Sequence, residues 1–328
     1  MTIRTATPDD LPQLRELFAR ANDAPYDLAA VAEEKCFGDG IAGAPVTTLV
    51  EESGRIRAAA VRCGRWLRVL VVERDARRQG LGTRLLEEGI SVIAAEPGNY
   101  FTPGVALNDE GARAFFRARG FAEKAVTWNL DVELGGDHVC HPESPEPRLL
   151  AAQDDEGPPA VHAVHEERAV GRGSFDRPPP QKDAAPAAQD DRNHKAQFRR
   201  PSHDEAGRVL AFVERAFGRI WRFEAAKAFE RDVPPAFIAE EGGEIVGFAV
   251  HDVNNRGLGW FGPTGVDPGM RGRGVGGRLL LASLQDLRRL GYARAVIPWT
   301  DALEFYRKAA GANPAQQFVS MGRPLERP

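Results

Sequence analysis

Two short stretches of this 328-residue chain combine arginine with closely spaced glycine in a way suited to holding an anion. Arg77-Arg78-Gln79-Gly80-Leu81-Gly82 and, 194 positions later, Arg271-Gly272-Arg273-Gly274-Val275-Gly276 share the pattern R-x-x-G-x-G. Each follows an apolar run, Trp66 to Val72 or Trp260 to Val266, and each opens a helical pattern, Thr83-Arg84-Leu85-Leu86 or Gly277-Arg278-Leu279-Leu280-Leu281. Glycine lets the backbone come close to a ligand and take dihedrals closed to other residues, while the free N–H groups of a helix's first turn point at phosphate oxygens. Arginines there add charge-assisted bonds. No Gly-Lys-Ser/Thr follows, which excludes a Walker A loop, and the spacing is not the G-x-G-x-x-G of a dinucleotide fold. The same pattern twice, in the same strand–turn–helix setting, points to a phosphate-bearing ligand.

The elements that position these loops also repeat. Ile3 to Asp10 leads into an apolar face at Leu11, Leu14, Leu17 and Phe18; 195 positions on, Phe198 to Glu205 leads into Ala206, Val209, Phe212 and Val213. The spacing i, i+3, i+6, i+7 predicts a helix in each half, with Thr7 and Ser202 as N-caps. Hairpins follow: Thr48–Glu52 and Ile56–Val61 around Ser53-Gly54-Arg55, then Phe237–Glu241 and Ile245–Val250 around Gly242-Gly243-Glu244. The order β-α-β-β-β-α-β-α, run through twice, is an α/β plan with a mixed sheet.

Composition narrows the function. Lys+Arg number 43 against 47 Asp+Glu, a net charge of -4, so there is no whole-chain basic field for nucleic acid, and phosphate of a cofactor is a better partner for Arg77, Arg78 and Arg84 than RNA. No apolar run reaches the roughly 18–20 residues of a membrane span, and Met1-Thr2-Ile3-Arg4 has no signal-peptide layout. Cys36, Cys63 and Cys140 are odd in number and far apart, which suits a reducing cytoplasm. From Gly135 to Gln197 prolines cluster and large apolar residues thin out, predicting a long disordered linker. The same Pro- and His-rich composition also fits an out-of-frame stretch of a GC-rich gene. His138, Cys140, His141, His162 and His165 lie there, but without paired cysteines they predict no metal site.

On these loops and their repeated setting, the chain resembles the GNAT superfamily of acyl-CoA-dependent N-acyltransferases, in tandem, over residues 1–134 and 198–328. The resemblance implies that the loop N–H groups hold the CoA pyrophosphate. It implies also that the preceding strand bonds the pantetheine arm, through Leu70, Val71 and Val72 in the first half and Thr264, Gly265 and Val266 in the second. The implied cofactor contacts are therefore Val71, Val72 and Arg77, Arg78, Gln79, Gly80, Leu81, Gly82 in one half. In the other they are Thr264, Gly265, Val266 and Arg271, Gly272, Arg273, Gly274, Val275, Gly276, Gly277. A tyrosine that protonates the leaving thiolate belongs on a later helix: Phe305-Tyr306 supplies it in the second half, and Phe115-Phe116 lacks it in the first. A phenol donates a proton and a phenyl ring does not. Tyr306 packed against the sheet as an ordinary helix residue is the bland alternative.

The general base stays open among Glu240, His251, Asp252 and Asp301, and Trp260, Phe261 and Trp299 stand as pocket or core. The expected protein is thus a cytoplasmic α/β tandem of two GNAT-like domains, each a mixed, mostly antiparallel twisted sheet flanked by helices. Domain 1–134 is expected to be degenerate and domain 198–328 to transfer acetyl from acetyl-CoA to a primary amine. A non-catalytic acyl-CoA-binding or scaffold protein is the alternative. The amine and the oligomeric state are not legible.

Overall fold

The computed structural model describes residues 1–86, 89–135 and 196–324; the expected linker falls almost wholly outside them. The first repeat runs β1 (Thr2–Thr5), α1 (Leu11–Ala21), α2 (Ala32–Phe37), β2 (Val46–Glu52), β3 (Arg55–Cys63), β4 (Trp66–Val72), α3 (Leu81–Leu85), β5 (Val92–Ile93), β6 (Val105–Ala106), α4 (Glu110–Arg117) and β7 (Ala122–Glu133). The second runs β8 (Gln197–Arg199), α5 (Ala206–Phe217), α6 (Arg219–Ala226), β9 (Ala236–Glu241), β10 (Glu244–His251), β11 (Phe261–Val266), α7 (Val275–Arg289), β12 (Arg294–Thr300), α8 (Leu303–Ala310) and β13 (Asn313–Gly322).

The repeat extends to individual bonds. Thr7 with Asp10 and Ser202 with Glu205 form reciprocal capping boxes, satisfying two otherwise orphan donors each. Arg4 pairs with Asp10 (2.6 Å) and Glu51 (2.9 Å), and Arg199 pairs with Glu205 (2.6 Å) and Glu240 (2.8 Å), tying β1 and β8 to the helix start and the next strand. Both hairpins turn on two residues of positive φ, Ser53 (52°) and Gly54 (77°) or Gly242 (59°) and Gly243 (84°), the turn whose twist matches that of its strands. Leu14, Leu17 and Phe18 of α1 and Val209, Phe212 and Val213 of α5 are buried at the expected positions.

One sheet has the order β1-β2-β3-β4-β5-β13-β7-β12, with β6 beside β13, and a second has the order β11-β10-β9-β8. A single parallel contact, Trp260 to Val296, bridges the two. The last strands are therefore exchanged. β13 lies between β5 and β7 in the first repeat's sheet, while β7 pairs with β12 of the second. The side chains follow. Leu130, Val132 and Leu134 join the core of Leu279, Leu284 and Leu287 on α7, whereas Val319 and Met321 pack with Leu81, Leu85 and Phe116, and Phe318 with α1. The two-repeat architecture is the expected one; the interlocking of the repeats was not expected.

Candidate acyl-transfer site

In each repeat the strand before the glycine loop touches its parallel neighbour once and then diverges. β4 meets β5 at Trp66–Val92 alone, and Trp260, just before β11, bridges to Val296 of β12. The resulting V leaves one edge of β4 and of β11 without a strand partner. Glu73 N–H bonds Arg57 O on the β3 side (2.9 Å), and Asp267 N–H bonds Val246 O on the β10 side (2.8 Å). By the alternation of an antiparallel ladder, the polar backbone groups of Leu70 and Val72, and of Thr264 and Val266, then face the open V. Those of Val71 and Gly265, expected to bond a pantetheine arm, face the neighbouring strand instead.

The two loops have one conformation. Arg78 (φ 65°) and Gly80 (82°) match Gly272 and Gly274 (both 74°), so Arg78 holds a left-handed backbone that the other copy gives to glycine. Nothing lies within 4 Å of a Cβ placed on Gly80, Gly272 or Gly274, leaving their faces open. Gly80 and Gly274 cap α3 and α7, whose first-turn N–H groups at Leu81 and Gly82, or Val275, Gly276 and Gly277, have no acceptor within the helix. A Cβ on Gly82 would lie 3.3 Å from the Phe115 ring and one on Gly276 3.5 Å from Phe305, so these glycines also admit the packing of α4 and α8.

Not every expected arginine is offered to a ligand. Arg77 donates to Val72 O and Ala21 O (both 3.0 Å) and pairs with Asp23, fastening the loop to β4 and α1. Arg273 pairs with Glu241, and Gln79 donates to Asp75 O. Arg78 and Arg271 line the pockets below their loops.

Those pockets differ. The first repeat holds a cleft of about 1,070 Å³ running from Val72, Arg78 and Gly80 past Phe115 to Phe101 and Thr102, and no tyrosine lines it. Its far wall carries Gln316 and Phe318 of the exchanged β13. It is wide because α3 stops at Leu85, where its counterpart α7 runs on to Arg289, and because residues 94–104 leave the strand path at Pro97, Gly98, Pro103 and Gly104. In the second repeat a pocket of about 70 Å³ lies below the loop, and an inner pocket of about 80 Å³ reaches Tyr306. The two share Trp221 and Thr264. Phe217, stacked on Trp221 at 5.1 Å, covers Gly265, where a Cβ would lie 2.5 Å from its ring. The residue 195 positions before Phe217 is Asn22, and Val71 stands where Gly265 would be.

Tyr306 is 4% exposed, edge-on to Phe261 and Phe305, and burial pushes its hydroxyl further above the usual phenol range, with the charge of Asp301 acting the same way. Phe116 occupies the corresponding buried position on α4. Of the four base candidates, only Asp301 lines the Tyr306 pocket. Glu240 is paired with Arg199 and Arg208, His251 is buried with its Nε2 2.8 Å from Asp286, and Asp252 accepts from Gly257 N–H. Trp260, Phe261 and Trp299 line the same pocket, as does a carboxylate the sequence reading missed, Glu224 of α6. Glu224 is 7% exposed, accepts Gly98 N–H at 2.9 Å, and is pushed up by burial. Its signal was position: with Trp221 and Ala225 it shares the inward face of α6.

Among the described residues no cluster of His, Cys, Asp and Glu is arranged for a metal ion, and no helix is long and apolar enough to cross a membrane. The histidines and Cys140 between 138 and 165 lie outside the described residues.

A splayed strand pair above a glycine-capped helix is present twice, so the chain is a tandem of two repeats that share one site geometry. The chain belongs to the acetyltransferase (GNAT) family, whose sequence profile matches residues 11–121 and again 201–312. Similar solved structures include the glucosamine N-acetyltransferase region of a fungal multi-domain GH3 β-N-acetylglucosaminidase, at 17% identity and a TM-score of 0.66 over 98% of this chain. This chain spans 38% of that one. A GCN5-related N-acetyltransferase from Sphaerobacter thermophilus is 18% identical, with a TM-score of 0.60 over 99% of this chain and 96% of its own. The tandem GNAT protein from the clavulanic acid biosynthesis pathway is 15% identical, with a TM-score of 0.60 over 100% and 99%. At these identities the likeness is one of fold. No curated protein matches the chain significantly.

Proposed function

We propose that the chain is an acyl-CoA-dependent N-acyltransferase whose second repeat transfers acetyl from acetyl-CoA to a primary amine. One observation carries this reading: Tyr306 and the buried Glu224 line a single pocket, and that pocket shares Thr264 and Trp221 with the one below the second glycine loop. Family membership supplies the reaction class. Arg271 and the first-turn N–H groups of α7 bind the pyrophosphate, and the outward backbone groups of Thr264 and Val266 align the pantetheine arm. Glu224, its proton affinity raised by burial, takes a proton from the incoming ammonium. The freed amine attacks the thioester carbonyl, the C–S bond breaks as Tyr306 gives its proton to the departing thiolate, and the proton that the new amide nitrogen sheds restores the phenol.

A second reading is favoured by the first repeat's larger cleft, in which Phe116 replaces the proton donor: that repeat holds acyl-CoA without transferring. Gly274→Val and Gly80→Val separate the two, because a β-branched residue is strained at positive φ and its side chain projects into the open face of the loop. With a panel of amines, thiol release from acetyl-CoA should vanish in Gly274→Val and persist in Gly80→Val, which loses one equivalent of bound acetyl-CoA. The reverse pattern moves transfer to the first repeat. Ligand binding without thiol release for any amine makes the protein a binder.

A further inference from the structure

A bulge in β12 places part of the Tyr306 pocket, and a residue of the other repeat holds that bulge. β12 pairs with the exchanged strand β7 from Arg294 opposite Glu133 to Ile297 opposite Leu130, and again at Thr300 opposite Trp128. Two residues of β12, Pro298 and Trp299, therefore stand against the single Asn129 of β7. An extra residue of this kind re-aims the side chains that follow it. Trp299 takes it up at φ 52°, a left-handed backbone that a bulky side chain keeps only where its surroundings fix it. Asn129 does the fixing. Its Oδ1 accepts the Trp299 N–H at 2.9 Å, its Nδ2 donates to the Tyr26 hydroxyl at 2.8 Å, and the residue is fully buried. The N–H decides which end of the amide faces Trp299, since only the oxygen accepts.

The bulge carries two walls of the pocket. Trp299 lines it, T-shaped to Tyr100 with ring centroids 5.7 Å apart, and Asp301, two residues on, lines it as well. Tyr26, at the other end of the chain of bonds, lies edge-on to a third wall, Trp260, at 5.4 Å. The exchange of strands thus gives the second repeat's pocket a hydrogen-bonded support from the first repeat. We propose that Asn129 is a positioning residue for transfer in the second repeat: by holding Trp299 it sets that ring and Asp301 beside Tyr306. The inference rests on the second repeat as the transferring unit and adds that its site is incomplete without the first.

Labelling the full chain with 5-fluorotryptophan gives a fluorine resonance for each of its five tryptophans, that of Trp299 being assigned by its loss in Trp299→Phe. Asn129→Leu, close in size but with nothing to bond, should shift or broaden the Trp299 resonance. Asn129→Asp, which keeps an oxygen for the N–H, should leave it in place. Single-turnover thiol release from acetyl-CoA with a panel of amines should fall about 10–100-fold in Asn129→Leu, the effect of a misplacement of about 1 Å. Acetyl-CoA affinity by calorimetry should stay unchanged, and the rate should return in Asn129→Asp. An unmoved Trp299 resonance in Asn129→Leu, a rate left at the unsubstituted value, or a loss that Asn129→Asp shares in full overturns the proposal. Should Asn129→Leu fail to fold, Tyr26→Phe keeps the ring on Trp260 and removes the acceptor of the Asn129 amide; the Trp299 resonance must then move, and an unmoved one overturns the proposal. If the unsubstituted protein releases no thiol with any amine, the transfer reading falls, while a Trp299 resonance that moves in Asn129→Leu and holds in Asn129→Asp keeps Asn129 as the support of the pocket.

Discussion

Arg4 and Arg199 do the same work in the two repeats, and the same carboxylates answer them. Their hydrogen bonds hold Asp10 and Glu205 down to about 2, from ordinary values of 3.8 and 4.5. A depressed carboxylate contributes stability that is fully present above its unfolded value and is lost as pH falls through its folded value. Asp10→Asn and Glu205→Gln should therefore each cost about 1 kcal/mol near neutral pH, the partly solvated arginines limiting the gain. In urea titrations the difference from the unsubstituted protein should fade between about pH 4.5 and 2. A difference that stays constant across that range would remove the ion pairs as its cause. At this scale the sequence was partly legible. The caps and Tyr306 announce themselves through neighbours at fixed spacing. Glu224 does not, because a carboxylate on an apolar helix face reads as an ordinary amphipathic boundary until the pocket it lines is seen.

Strands carry less information about where they go. Alternation in β7 and β13 shows which side chains are buried, but nothing in a strand's own pattern says which repeat's core receives them. Hence the hairpins, the loops and one helix ahead of each hairpin were legible, while the second helix there, α2 or α6, and the exchange were not. Its energetic weight is large. Phe318 is 1% exposed in the first repeat's core although it belongs to the second repeat's last strand, and it also lines the first cleft. Phe318→Ala should cost about 3–5 kcal/mol, a large part of the 5–15 kcal/mol that a domain typically has. Hydrogen exchange should show the loss in β4 and α1 before α7. Loss confined to α7 and β12 would mean that β13 supports its own repeat and not the other.

Across the whole molecule the segment 94–104 joins the repeats. Phe101 and Thr102 line the first cleft, Gly98 binds Glu224 and Lys227 of the second repeat, and Tyr100 enters the Tyr306 pocket. Glu34 closes the same interface by accepting the N–H groups of Asn255 and Arg256 (2.9 and 3.0 Å). The repeats are thus alike in plan and unlike in equipment, one with the larger cleft and no phenol, the other with phenol and carboxylate in a tight pocket. That division was visible in sequence as Phe116 against Tyr306, while the clefts were not, since they depend on where α3 ends and on rings at 217 and 221. Single-turnover thiol release by Tyr306→Phe, with acetyl-CoA and a saturating amine, tests the division most directly. A positioned acid contributes about 10²–10⁴-fold in rate, so the account predicts a loss in that range with acetyl-CoA affinity unchanged, because the ring and its packing remain. A chemical step at the unsubstituted rate would contradict it and return Tyr306 to the role of a packed helix residue.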